Sequence, residues 1–148
     1  ITTNVLQECF NELAVHKVNL KGIVLKPNMV IPGSKSSKKS NAEEIAIKTL
    51  DCLKKNVPSD VPGIAFLSGG QSEIESSRNL HEINKINDTK FLITFSYGRG
   101  LQASALSAFG KDQNNLNEIQ KAFAHRAKMN GLASKGEWSE NLEKEAVA

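Results

Sequence analysis

The fold class is decided by Gly63-Ile64-Ala65-Phe66-Leu67-Ser68-Gly69-Gly70-Gln71-Ser72-Glu73-Ile74-Glu75. The first five residues form a short apolar run that is typical of a buried strand, and the two adjacent glycines mark a turn. Ser72 and Glu75 have the S-x-x-E spacing of a capping box, which predicts that a helix begins there. A strand that leads through a turn into a helix is the repeating unit of parallel α/β proteins.

The segment before this stretch has the same order of elements. Gly22–Lys26 predicts a buried strand that Pro27 ends, because proline cannot donate a ladder hydrogen bond. Ser40 and Glu43 form a second S-x-x-E box, which predicts a helix to about Lys55.

The segment after it completes a third strand–helix unit. Phe91–Phe95 predicts a strand, and a helix is expected from about Leu101 to Phe109, with Gly110 as its C-terminal cap. A further helix is predicted from about Leu116 to near Gly131.

Three such units fit either an open doubly wound sheet or a closed (β/α)8 barrel, and periodicity does not choose between them. A closed barrel needs about 250 residues, whereas this chain has 148. The chain begins with Ile1 rather than methionine, and Val5, Leu6, Cys9, Phe10 and Leu13 immediately repeat at helical spacing. We therefore expect a piece of a longer protein.

Composition excludes several classes of protein. The chain is 39% hydrophobic and 24% charged, which is typical of a globular chain rather than a disordered one. Its net charge is only +3 and its one lysine cluster, 35–39, is short, so neither a nucleic acid nor a membrane is expected as a partner. The presence of only two cysteines, Cys9 and Cys52, favours a reducing compartment.

Three strand ends carry residues that could form one site. In both architectures ligands bind beyond the C-terminal ends of the strands, where Lys26, Ser68-Gly69-Gly70 and Ser96-Tyr97-Gly98-Arg99 lie. Glycines before a helix allow backbone N–H groups to approach an anion, and arginine offers a planar donor pair for phosphate. These residues predict a phosphate site, with ordinary turns as the alternative for either loop alone.

Lys26 ends an apolar strand, where an ammonium group would lose its water. Burial there would favour a neutral amine, which can attack a carbonyl and form a Schiff base. The alternative is a lysine whose head group reaches water. No metal site is predicted, because His16, His81 and His125 are far apart and lack metal-ligand spacing.

Three motifs together resemble the signatures of class I fructose-bisphosphate aldolases. They are Leu25-Lys26-Pro27-Asn28-Met29-Val30, Phe66-Leu67-Ser68-Gly69-Gly70-Gln71-Ser72-Glu73 and Thr94-Phe95-Ser96-Tyr97-Gly98-Arg99, the last extended by Leu101–Leu106. The resemblance covers nearly the whole chain as the C-terminal part of the family's sequence. It implies a (β/α)8 TIM barrel in which the three strands are the sixth, seventh and eighth.

The resemblance also implies a site and an activity. Lys26 would form the Schiff base, and Ser68, Gly69, Gly70, Ser96, Gly98 and Arg99 would bind a substrate phosphate. The reaction would be the reversible cleavage of fructose 1,6-bisphosphate in glycolysis, without a metal or other cofactor. The implied protein is a cytoplasmic homotetramer that binds sugar phosphates, and its proton-transfer residues lie outside this chain.

The resemblance further implies that residues 1–148 are the C-terminal part of a single barrel domain, with 132–148 as a tail segment. The family's C-terminal tyrosine has no counterpart in this sequence, which stops at Ala148. Phe91 and Gly100 stand where many members have tryptophan and alanine, and neither is expected to touch the chemistry.

Two other interpretations stay open at this point. The chain alone could be a non-catalytic binding or assembly partner of the remaining barrel, because a half barrel exposes sheet edges and apolar faces; alone it is expected to be inactive and to associate. A transaldolase-like barrel that also uses a Schiff base and binds phosphate is less favoured by the motifs.

Overall fold

The computed structural model of the chain describes residues 1–144, and residues 145–148 of the expected tail segment lie outside the described residues. The elements are α1 (Thr2–Val15), β1 (Val24–Leu25), α2 (Ala42–Asn56), β2 (Gly63–Phe66), α3 (Glu73–Lys85), β3 (Leu92–Phe95), α4 (Arg99–Lys111) and α5 (Leu116–Ala133). Short 3-10 helices occupy Leu20–Gly22 and Leu142–Lys144.

The three strands form one parallel sheet in the order β1-β2-β3, as a series of strand–helix units requires. Val24 pairs with Gly63, which in turn pairs with Leu92. The predicted parallel α/β architecture is therefore confirmed, and all three strands end at the same edge of the sheet.

Within residues 1–144, helices cover one face of the sheet and leave the other open. Ile64 and Phe66 are fully buried and Ile93 is 5% exposed on the face against which the helices pack. On the opposite face Val24 is 65% exposed and Leu92 77% exposed. Since side chains alternate along a strand, the uncovered face also carries Lys26, Ala65 and Thr94, when the β1–β2 register is extended by one residue.

Helices α2 and α3 form the core with the covered face of the sheet. Leu50 and Leu53 of α2 and Leu80 and Ile83 of α3 are at most 3% exposed. Each such side chain contributes about 1.5–3 kcal/mol through burial, so this layer fixes where the two helices begin relative to the strand ends.

Several predicted boundaries are corrected by the structure. Helix α2 begins after Asn41, whose side-chain oxygen accepts the Glu44 N–H at 2.8 Å, so Asn41 rather than Ser40 is the cap. Helix α4 continues through Gly110 to Lys111, because a glycine with a helical backbone does not by itself end a helix. The capping box of Ser72 and Glu75 is confirmed.

Among residues 1–144, no helix combines the length and the apolar character that a membrane crossing needs.

Candidate active site

Backbone hydrogen bonds extend the sheet ladder beyond the strands and bring the three predicted loops together. The Leu67 N–H donates to the Pro27 carbonyl at 3.0 Å, and the Ser96 N–H donates to the Phe66 carbonyl at 2.8 Å. The segments that follow β1, β2 and β3 are thus neighbours at one edge of the sheet, as predicted.

The loop after β2 is a tight turn that depends on its glycines. Gly69 and Gly70 have φ values of +60° and +84°, in the left-handed region that favours glycine. Gln71 closes the turn, since its backbone N–H and its side-chain amide both donate to the Ser68 carbonyl, at 3.1 and 2.8 Å. Asn79 fixes that side chain by donating to its oxygen at 2.6 Å.

The N-terminus of α3 is already occupied by its own cap. Ser72 accepts the Glu75 N–H at 3.2 Å, and the Glu75 carboxylate accepts the Ser72 N–H at 3.0 Å. These hydrogen bonds hold the pKa of Glu75 below its ordinary value, so a negative charge sits at this helix start. The N-terminus of α4 is therefore better suited to binding an anion than the N-terminus of α3.

Helix α4 begins without a side-chain cap. Its N-cap is Gly98, and the Gly98 carbonyl accepts the N–H groups of Leu101 and Gln102 at 3.0 and 3.1 Å. Arg99 is the first residue of the helix, and its side chain is exposed, as are Ser96 and Gly98. An uncapped helix start with an exposed guanidinium is suited to binding phosphate.

The loop that follows β2 and the first turn of α4 contact each other at Gly100. A Cβ atom placed on Gly100 would lie 2.9 Å from Cβ of Ser68 and 3.0 Å from Oγ of Ser76. Ser68 itself is only 6% exposed. Gly100 therefore lies against a predicted site residue, because the absence of a side chain lets α4 approach Ser68 closely.

Tyr97 anchors the third loop rather than lining the site. Its ring is buried and its hydroxyl donates to the Ser76 carbonyl at 3.0 Å. Burial raises the pKa of Tyr97 well above its ordinary value, so the hydroxyl stays a neutral donor. The only sequence signal for this role was an aromatic residue inside a polar turn, which does not identify a partner 21 residues away.

Lys26 follows β1 on the uncovered face of the sheet, and its side chain is exposed. The burial expected for it is not observed, because no element of residues 1–144 covers that face. When the register is extended by one residue, Lys26 lies opposite Ala65. Because Ala65 is three residues before Ser68, Lys26 and Ser68 are about 10 Å apart along the strand direction.

The histidines lie away from this edge. His16 is exposed at the C-terminal end of α1, His81 packs on Trp138 with ring centroids 5.8 Å apart, and His125 lies 3.6 Å from Glu143. Within the described part of the chain, no three His, Cys, Asp or Glu side chains are grouped so that they could hold a metal ion.

A parallel sheet with helices on one face and ligand-type loops at the strand ends defines the chain as part of a β/α protein of the barrel or doubly wound class. Residues 1–148 match the family described as fructose-bisphosphate aldolase class-I. The chain belongs to the class I fructose-bisphosphate aldolase family, as the three motifs indicated.

Known proteins define the extent of the match. Fructose-bisphosphate aldolase B of Sparus aurata is 51% identical over 139 residues, which are 93% of this chain and 38% of that protein. Cytosolic fructose-bisphosphate aldolase 4 of Arabidopsis thaliana is 48% identical over 137 residues, which are 92% of this chain and 35% of that protein. The chain thus spans less than two-fifths of these relatives.

A solved structure agrees with the fold. The fructose-bisphosphate aldolase of Plasmodium falciparum, in complex with TRAP and a small molecule inhibitor, superposes with a TM-score of 0.89 at 39% identity. The match covers 93% of this chain and 40% of the solved one. The fold is therefore part of the aldolase (β/α)8 barrel, which decides between the two architectures left open by periodicity.

Proposed function

We propose that the protein carrying this chain reversibly cleaves fructose 1,6-bisphosphate to dihydroxyacetone phosphate and glyceraldehyde 3-phosphate through a Schiff base on Lys26. The observation that carries the proposal is the position of Lys26 on the uncovered sheet face, at the same edge as the loops of Ser68 and Arg99. In a closed barrel that face is the interior, and the strand ends open onto the active site. The neutral amine that the reaction needs then depends on strands outside this chain.

The chemistry follows from the amine. Lysine Nζ attacks the ketone carbon, water leaves, and a protonated imine forms. As the C3–C4 bond breaks, the imine accepts its electron pair, the C4 hydroxyl gives its proton to a base outside this chain, and glyceraldehyde 3-phosphate is released. Protonation of the resulting enamine and hydrolysis of the imine then release dihydroxyacetone phosphate and restore the amine, without a metal ion or cofactor.

Phosphate binding is assigned to the two loops. The N–H groups at the uncapped start of α4 and the exposed Arg99 side chain support an anion site there, with Ser96 and Gly98 beside them. Ser68, Gly69 and Gly70 complete it from the neighbouring loop, which Gly100 holds in contact. Binding at this end would place the substrate ketone towards Lys26.

Reductive trapping tests the role of Lys26. The full-length protein is incubated with dihydroxyacetone phosphate and borohydride, and the adduct is mapped by mass spectrometry. We expect the label on Lys26 and its loss in Lys26→Met. Lys21, in the 3-10 helix before β1, is a matched control whose substitution should leave labelling intact. Labelling at any other lysine in the unsubstituted protein would refute the assignment.

Replacement of Arg99 tests the phosphate site. Arg99→Ala should weaken the binding of phosphorylated substrates by about ten- to a hundredfold and leave the binding of unphosphorylated ones unchanged, because a charged hydrogen bond contributes about 1.5–3 kcal/mol. Lys111→Ala, at the opposite end of α4, controls for the loss of a positive charge. Equal losses for both kinds of substrate would contradict the phosphate role.

A cytoplasmic location and a homotetramer are part of the proposal. The location is supported by the cytosolic Arabidopsis relative. The tetramer is implied by the family resemblance alone, and sedimentation of the full-length protein would test it.

A further inference from the structure

A buried polar network lies between α3, α5 and the segment that follows α5. Its central residues are Asn130, which is fully buried, and Arg126, which is 3% exposed. Buried polar groups are costly unless they are paired, so their partners are informative. One end of the network reaches the N-terminal turn of α4, where the phosphate site begins.

Asn130 connects α5 to this turn. Its side-chain amide donates to the Gly100 carbonyl at 3.4 Å, and its side-chain oxygen accepts the Ser77 hydroxyl at 2.6 Å. The single proton of the Ser77 hydroxyl has two acceptors within reach, the Glu73 carbonyl at 3.0 Å and the Asn130 oxygen at 2.6 Å. The shorter contact, to Asn130, leaves the NH₂ group of the amide directed towards Gly100. Ser77 of α3 therefore sets the orientation of the amide that contacts α4.

Arg126 holds the other end of the network. Its guanidinium lies 3.5 Å from the Ser77 hydroxyl and is paired with the Glu143 carboxylate. Trp138 donates from its indole N–H to the same carboxylate at 2.6 Å. The segment after α5 thus completes the pairing of the buried arginine, and the network has a fixed position in the core.

A second contact holds α4 one turn further along the helix. Glu73, the first residue of α3, accepts the backbone N–H of Ser104 at 3.0 Å and also pairs with its hydroxyl. Side chains from α3 and α5 therefore engage Gly100 and Ser104, one helical turn apart. They act on the part of α4 that determines where the Gly98 and Arg99 N–H groups point.

We infer that Ser77 and Asn130 are positioning residues for the phosphate site, acting through the Gly100 carbonyl on the first turn of α4. The inference rests on the proposed function. Neither residue belongs to the predicted phosphate-binding set, and neither contacts the substrate. Their role is to fix the direction of the N–H groups that receive the phosphate, so their loss should affect binding of phosphate rather than the lysine chemistry.

The test uses Ser77→Ala in the full-length protein, since this change removes only one buried hydroxyl. The KM for fructose 1,6-bisphosphate and the Kd for dihydroxyacetone phosphate should each rise about three- to tenfold, as expected for one neutral hydrogen bond. The kcat should stay within about twofold, because an interaction made equally in the ground and transition states changes KM alone. Cleavage of an unphosphorylated ketose should not change.

Two further variants complete the experiment. Asn130→Ala should reproduce the same split between KM and kcat. Asn84→Ala is the matched control, because Asn84 also donates its amide across the α3–α5 interface, to the Ala133 carbonyl at 3.4 Å, but at the end of α3 away from Gly100. Its KM values should equal those of the unsubstituted protein.

Two results would overturn the inference: equal KM values in Ser77→Ala and Asn84→Ala, or an equal loss in Ser77→Ala on phosphorylated and unphosphorylated substrates. Failure of the unsubstituted protein to bind dihydroxyacetone phosphate would overturn the proposed function and the inference with it. That failure is distinguishable, because it appears before any substitution is made.

Discussion

Replacing Gly100 by alanine should destabilise the protein, although the same change elsewhere in α4 should stabilise it. Alanine is favoured over glycine inside a helix by about 0.8–1 kcal/mol. At Gly100, however, the new Cβ atom would meet Ser68 Cβ at 2.9 Å and Ser76 Oγ at 3.0 Å. Overpacking of this kind costs about 1–3 kcal/mol. The net free energy of unfolding should therefore fall by between about zero and 2 kcal/mol.

Gly110 provides the matched control in the same helix. A Cβ atom at Gly110 meets nothing within 4 Å. Gly110→Ala should therefore show the favourable propensity alone, up to about 1 kcal/mol. Urea unfolding of the full-length protein, followed by circular dichroism, would place the two variants about 1–3 kcal/mol apart.

The same variant should also alter ligand binding. Relief of the clash requires Ser68 or the first turn of α4 to move, and both belong to the proposed phosphate site. We expect weaker binding of dihydroxyacetone phosphate in Gly100→Ala and unchanged binding in Gly110→Ala, measured by titration calorimetry. If Gly100→Ala were as stable as Gly110→Ala and bound the ligand normally, the close contact between Gly100 and Ser68 would be refuted.

Three further perturbations test individual contacts. Tyr97→Phe removes the hydroxyl that donates to Ser76 and should lower the free energy of unfolding by about 0.5–1.5 kcal/mol; an unchanged urea midpoint would show that the bond contributes nothing. Desolvation lowers the pKa of His81 below its ordinary value near 6.5. The folded protein therefore favours the neutral imidazole, and the stability that this contributes is present above pH 6.5 and is lost as the pH falls. In thermal unfolding, His81→Phe should flatten this dependence between about pH 7 and 5, and an unchanged dependence would contradict the assignment. Ser72→Ala removes the hydroxyl that accepts the Glu75 N–H and should lower the free energy of unfolding by about 1 kcal/mol, whereas an unchanged urea midpoint would argue against this cap.

Local sequence features predicted most of the fold. The strands 63–66 and 92–95, the capping box at Ser72 and the glycine turn before it each arise from interactions among residues a few positions apart. Such interactions can be read without knowledge of distant partners. Helix ends were less predictable, since Asn41 and Ser40 compete for one cap and Gly110 is compatible with a continuing helix.

The sequence by itself determined the order of strands and helices, the family and the loops that meet at one edge of the sheet. Only the tertiary structure decided the contact of Gly100 with Ser68, the bond from Tyr97 to Ser76 and the connection of Asn130 to Gly100. These contacts join residues 21 to 32 positions apart, and they depend on the strand register and on the packing of α3 and α5 against α4. The environment of Lys26 depends in the same way on what covers the open face of the sheet, because burial is a property of the surrounding structure and not of the residues beside it in the chain.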